Sequence, residues 1–69
     1  MKISTGNMIE GTVVEIKAGV VMGVVIIDIG GGNKISSVNT MESIEQLGLK
    51  VGAKAFAMFK ATSVLVAVE

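Results

Sequence analysis

Short runs of β-branched and apolar residues, each closed by glycine, recur along most of the chain. Met8 to Lys17 alternates as a strand does, with Thr12, Val14 and Ile16 on one face and Ile9, Val13 and Glu15 on the other. Ala18-Gly19 reads as a turn. Val20 to Ile29 follows as a second strand, apolar on both faces around Val24 to Ile27. A strand buried on both faces suggests a closed barrel packed against a neighbour. Gly30-Gly31-Gly32-Asn33 predicts a hairpin turn, because these residues tolerate positive φ. Lys34 to Val38 returns as a third strand.

The period then changes. Thr40 suits a helix N-cap, and Glu42 and Glu45 fall in the first turns, where the helix dipole favours acids. Ile44 and Leu47 lie three apart on one face, and Gly48 fits the C′ position that ends a helix of about two turns. Ala53 to Lys60 and Thr62 to Val68 alternate again and are expected to be the last two strands. Three strands, a short helix and two strands make an all-β chain of the OB-like kind, a five-stranded barrel with one helix between its third and fourth strands. No linker or repeat divides it, so residues 1–69 form a single domain.

Size adds a constraint. A domain of 69 residues has little interior, yet 51% of this chain is apolar. Small domains usually rely on a disulfide, a metal or a partner, and the absence of Cys and His removes disulfides, thiolate sites and imidazole ligands. The expected stabiliser is another copy of the chain, in a homo-oligomer that covers the surplus apolar surface. A membrane span is rejected. The longest apolar run, Gly19 to Ile27, is about half of what a spanning helix needs, and it carries two glycines. No basic segment followed by an apolar core opens the chain, so the cytoplasm is the expected location.

Charge narrows the partners. Six lysines balance six acids, and there is no Arg. A neutral chain has no broad field for nucleic acid or a membrane surface. Stacking platforms are scarce too: the two aromatics, Phe56 and Phe59, fall on opposite faces of one strand, and both are expected in the core. Catalytic arrangements built on His or Cys are impossible, and the carboxylates are scattered, so an enzyme is not expected. The glycine triplet lacks the Lys-Ser/Thr that opens a phosphate-loop helix.

What remains is a set of hydrogen-bond donors beside glycines: Ser4-Thr5-Gly6-Asn7, Thr40 to Ser43, and Lys60 with Ala61-Thr62-Ser63. A tetrahedral oxyanion offers only acceptor oxygens. It requires hydroxyls, backbone N–H groups and a cation, with carboxylates kept away. Taken singly, each cluster also has an ordinary reading as a terminus, a cap or a surface lysine.

Six segments together resemble the molbindins, the Mop proteins. They are Ile3-Ser4-Thr5-Gly6-Asn7, Gly11-Thr12-Val13-Val14, Ile27 to Gly32, Thr40-Met41-Glu42-Ser43, Leu47 to Gly52, and Phe59 to Val64. The resemblance runs through nearly the whole chain. It implies an OB-like barrel whose subunits pair closely, hexamers built as trimers of dimers, and molybdate or tungstate held between subunits with no cofactor. It further implies that Ser4, Lys60 and Ala61 form one side of a site. Thr40 and Ser43 of a neighbouring subunit form the other. Many relatives carry an anion-contacting arginine in the opening motif where this chain has Gly6, leaving the Thr5 hydroxyl and the backbone N–H groups of Thr5 and Gly6 to compensate. The Ala18-Gly19-Val20 turn is the candidate for a second kind of site, through the backbone of Gly19 and Val20. Two other readings remain: a single-stranded nucleic-acid-binding barrel, and a structural oligomer whose anion sites have decayed.

Overall fold

The computed structural model describes residues 6–69. Four strands and one short helix follow in order: β1 (Asn7–Ala18), β2 (Met22–Gly30), β3 (Asn33–Thr40), α1 (Met41–Gln46) and β4 (Lys54–Phe59). The strands form one antiparallel sheet in the order β3-β2-β1-β4, which leaves β3 and β4 as its margins.

β1 serves two neighbours. Its first half, Asn7 to Thr12, pairs with β4, and its second half, from Thr12, pairs with β2. Gly11 sits near the changeover, where a Cβ would run into the Asp28 carbonyl oxygen and, at 2.6 Å, the Ile27 Cγ2. The register with β2 shifts between Val13 and Glu15, so Val14 is the extra residue of a bulge. The bulge corrects the expected face assignment. A strict alternation separates Val13 from Ile16, but the bulge resets the phase, and both pack into the core.

β2 is the centre of the molecule. Gly23, Val25 and Ile27 are buried, and Val24 and Ile26 on the other face are half-buried. The strand begins at Met22 rather than at Val20, which is 98% exposed in the preceding bend. The expected hairpin is present. Gly31 and Gly32 link β2 to β3 with φ of 63° and 81°, which side-chain-bearing residues rarely adopt, and the Gly30 N–H donates to the Asp28 carboxylate at 2.8 Å.

The helix also forms where expected and ends as a Schellman motif. Gly48 N–H donates to the Glu45 carbonyl at 3.0 Å and Leu49 N–H to the Ile44 carbonyl at 3.1 Å, with Gly48 at φ 66°. Ile44 enters the core, but Leu47 does not share its fate: it is the C-cap and is exposed. Met41 is the residue that joins Ile44, and both close over Gly23, where a Cβ would meet the Met41 sulfur at 2.7 Å.

The largest correction concerns the fifth strand. Thr62 to Val68 does not pair with the sheet: Ala61–Ser63 is a 3-10 turn, and the residues after it lie outside any helix or strand. Among the described residues the barrel of one copy therefore has four strands, not five. Phe56, expected in the core, is 38% exposed, while Ala57 beside it is buried.

Candidate anion-binding site

The candidate donors fall into two groups. The first surrounds the start of α1. Thr40 adopts extended backbone (φ −68°, ψ 147°), and its hydroxyl accepts from the Ser43 N–H at 3.0 Å, a side-chain cap on the helix. The same hydroxyl donates to the Ser43 Oγ at 2.8 Å. Ser43 thus accepts from Thr40 and keeps its own hydroxyl hydrogen to give to a ligand. The Met41 N–H donates to the Val21 carbonyl at 2.7 Å, so two N–H groups of the first turn are already engaged within the chain. Glu42 stands in that turn as well. Its carboxylate accepts from the Gln46 side chain at 3.4 Å along the helix.

The bond from Met41 to Val21 has a second consequence. It ties the bend holding Gly19 and Val20 to the helix start, and the pairing of Met22 with Thr40 does the same. The two places read separately from the sequence are neighbours. Gly19 is required there, because a Cβ would collide with the Met22 carbonyl oxygen.

The second group lies at the end of β4. Lys60 is exposed and is followed by the turn Ala61–Ser63, in which the Ser63 N–H donates to the Lys60 carbonyl at 2.9 Å. Among the described residues the one ion pair is Lys54–Glu10 at 3.5 Å, so the Lys60 ammonium is not neutralised by a carboxylate there. Asn7 is the register partner of Phe59, the last pair of the β1–β4 ladder, and Gly6 and Lys60 are the residues that flank that pair in sequence. Gly6 is exposed, has no positive φ, and a Cβ on it would meet nothing within 4 Å. Ser4 and Thr5, the remaining members of this group, lie outside the described residues.

The structure does not join the two groups within one copy. Thr40 aligns through Met22 with the C-terminal end of β1, and Lys60 follows the strand that meets its N-terminal end. Among the described residues no hydrogen bond or ion pair links Lys60 or Ala61 with Thr40 or Ser43. In sheet order the groups belong to opposite margins.

Between those margins runs a groove that sequence reasoning missed. Ser37 and Asn39 of β3 face it, half-buried, with the Asn39 amide donating to the Ser37 hydroxyl at 3.0 Å. Phe56 and Met58 of β4 line the opposite wall. A signal existed: Ser37 shares the parity of Ile35, which packs against the core.

The TOBE domain model matches residues 3–66 of the chain. The chain is 51% identical over its full length, and over the full length of the relative, to a probable molybdenum-pterin-binding protein of Haemophilus influenzae. Among solved structures it is similar to MopII from Clostridium pasteurianum (TM-score 0.90, 43% identity, 97% of this chain and 100% of that one). It is equally similar in fold to a molybdate binding protein from Sporomusa ovata (TM-score 0.90, 38% identity, 99% of this chain and 100% of that one).

Proposed function

The chain belongs to the TOBE domain family, among its molbindin (Mop) members, and from that premise we propose that it binds molybdate or tungstate reversibly and stores the anion in the cytoplasm, at interfaces between copies of itself. The observation that carries this reading is the whole-length likeness to a solved molybdate-binding protein. The chemistry of the donors agrees with it. Lys60 supplies a cation not neutralised by a described carboxylate, and Ser43 supplies a hydroxyl hydrogen. The separation of the two groups in one copy favours a site shared between subunits, with Ser4, Thr5, Gly6, Lys60 and Ala61 on one side and Thr40 and Ser43 of a neighbour on the other. Gly19 and Val20, beside the helix start, are the backbone donors proposed for a second kind of site.

Binding proceeds by hydrogen bonds to a dianion, with no covalent bond made or broken and no cofactor. A dianion removed from water requires fixed donors around it, and the lysine offsets its charge. Molybdate and sulfate share charge and shape, so discrimination rests on the size of the cavity. A ligand that bridges chains also stabilises their assembly. The assembly proposed is a hexamer, a trimer of dimers.

Native mass spectrometry with and without molybdate, with sulfate as competitor, tests the reading. A hexamer that gains several molybdate masses which sulfate does not displace is the expected result. The same oligomer without bound anion would overturn storage in favour of a structural assembly. Retention on single-stranded oligonucleotide at physiological salt would instead favour nucleic-acid binding.

A further inference from the structure

Gly23 is the first buried position of β2, paired with Ala18 of β1 on one side and Asn39 of β3 on the other. Its φ is not positive, so the left-handed backbone that calls for glycine at Gly31 or Gly48 is not its reason. The requirement is space. A Cβ there would lie 2.7 Å from the Met41 sulfur, 2.9 Å from the Ile44 Cδ1 and 3.2 Å from the Lys17 carbonyl oxygen. These neighbours differ in how far they can retreat. The Lys17 carbonyl belongs to backbone held in the β1–β2 ladder, whereas Met41 and Ile44 belong to a helix of six residues. The thioether end of Met41 can swing aside. Ile44 is buried and β-branched, which restricts its χ1 in a helix. A methyl group added at residue 23 therefore displaces the helix rather than the sheet.

The start of that helix carries half of the donors proposed for the anion. The Met41 N–H reaches the Val21 carbonyl at 2.7 Å, and Thr40 pairs with Met22, the residue before Gly23. Thr40 in turn holds the Ser43 N–H at 3.0 Å and the Ser43 Oγ at 2.8 Å. Whatever sets the spacing between α1 and the beginning of β2 thus sets the place of the Ser43 hydroxyl, and its place relative to Gly19 and Val20 in the preceding bend.

We propose that Gly23 is a positioning residue for the anion. Its missing side chain lets Met41 and Ile44 seat α1 against β2, and that seating aims the Ser43 hydroxyl. Gly23 itself touches no ligand. The role rests on the anion site of the proposed function, in which Lys60 of a neighbouring subunit forms the opposite side. The two sides do not move together, so a displaced helix shifts Ser43 while Lys60 stays in place. Hydrogen bonds weaken steeply with misalignment, and binding sites tolerate displacements of only about 0.5 Å.

Isothermal titration calorimetry with sodium molybdate on the assembled protein, with urea unfolding alongside, tests this. Gly23→Ala is expected to weaken binding by about five- to tenfold. Adding Ile44→Val removes the Cδ1 that the new methyl group meets. The double variant is expected to bind within about twofold of the parent, a coupling that independent sites do not show. Ile44→Val alone, and Val13→Ala on β1, truncate the core and lower the urea midpoint but are expected to leave affinity unchanged. A role confined to stability predicts the reverse: affinity would follow the midpoint in all four variants. If Gly23→Ala does not assemble, Met41→Ala probes the same contact from the helix side without adding an atom to the strand, and is expected to weaken binding by about threefold. Undiminished affinity in Gly23→Ala or its substitute, or no recovery in the double variant, would overturn the role of Gly23 and leave anion binding standing. A parent protein that does not bind molybdate would overturn the proposed function and this role together.

Discussion

Val25 and Leu65 are residues of the same chemistry with opposite fates. Val25, on the central strand, is 1% exposed, and Leu65, beyond the last strand, is 95% exposed. Around Val25 the fold closes. β1 and β3 flank β2, and α1 lays Ile44 and Met41 over Gly23, whose missing side chain makes room for them. Around Leu65 nothing closes: the sheet ends at β4, and the groove beside it is lined by half-buried polar groups and an exposed phenylalanine. The difference separates stability of the single chain, which resides in the β1–β2–α1 side, from the association and ligand chemistry proposed for the margins. Substitutions on the two sides should therefore fail in different ways.

The largest effect belongs to the closed side. Ile44 is buried in the core cluster, and its truncation leaves a cavity beneath a helix of only six residues. Ile44→Ala is expected to cost about 2–5 kcal/mol in urea unfolding, at every protein concentration. Leu65→Ala should move the unfolding midpoint only as concentration is varied, since it touches association rather than the core. A concentration-independent loss of similar size for both would erase the distinction between the two regions.

Next come the margins, read through the ligand. Lys60→Ala is expected to weaken molybdate binding by about tenfold or more, from roughly 1.5–3 kcal/mol for a charge-assisted hydrogen bond, with unfolding nearly unchanged. Isothermal titration calorimetry on the assembled variant decides this, and undiminished affinity would remove Lys60 from the site. Gly6→Arg is the converse experiment. The position is open, has no positive φ and lies just before Asn7, whose register partner Phe59 precedes Lys60, so the new side chain does not strain the fold. A gain of about 1.5 kcal/mol in anion binding is expected, the low end for a bond to a charged group. No gain would mean that the open space at Gly6 does not face the anion.

The same contrast governs what the sequence made legible. Elements held by local signals were readable. The Gly31-Gly32 hairpin follows from backbone freedom, and Thr40 and Gly48 mark the two ends of α1. Features that depend on neighbours were not. The bulge at Val14 is a two-strand property, and it put Val13 and Ile16 together against simple alternation. Residues Thr62 to Val68 look like a strand because their composition is one, but pairing is a property of two strands, and they pair with neither margin of their own sheet. The candidate site was read as a set of donors, and the family resemblance implied its two halves. That Gly19 and Val20 adjoin Thr40 required the bond between Met41 and Val21.

Thr40 gives the smallest and sharpest test, because it belongs to the closed side as a cap and to the proposed site as a donor. Its hydroxyl accepts from the Ser43 N–H and donates to the Ser43 Oγ, so within one copy both of its roles are spent on the helix. Thr40→Ala is expected to cost about 1 kcal/mol of stability, the usual loss for a capping oxygen. If Thr40 acts on the anion only by orienting Ser43, Thr40→Ser should restore stability and affinity together, since it keeps the hydroxyl. Ser43→Ala should then weaken binding while sparing the cap, whose acceptor is Thr40 and whose donor is the backbone of residue 43. Unfolding and calorimetry on the three variants separate the roles. A Ser43→Ala protein that binds molybdate as tightly as the parent would leave the Thr40–Ser43 pair as a cap and confine the site to the Lys60 margin.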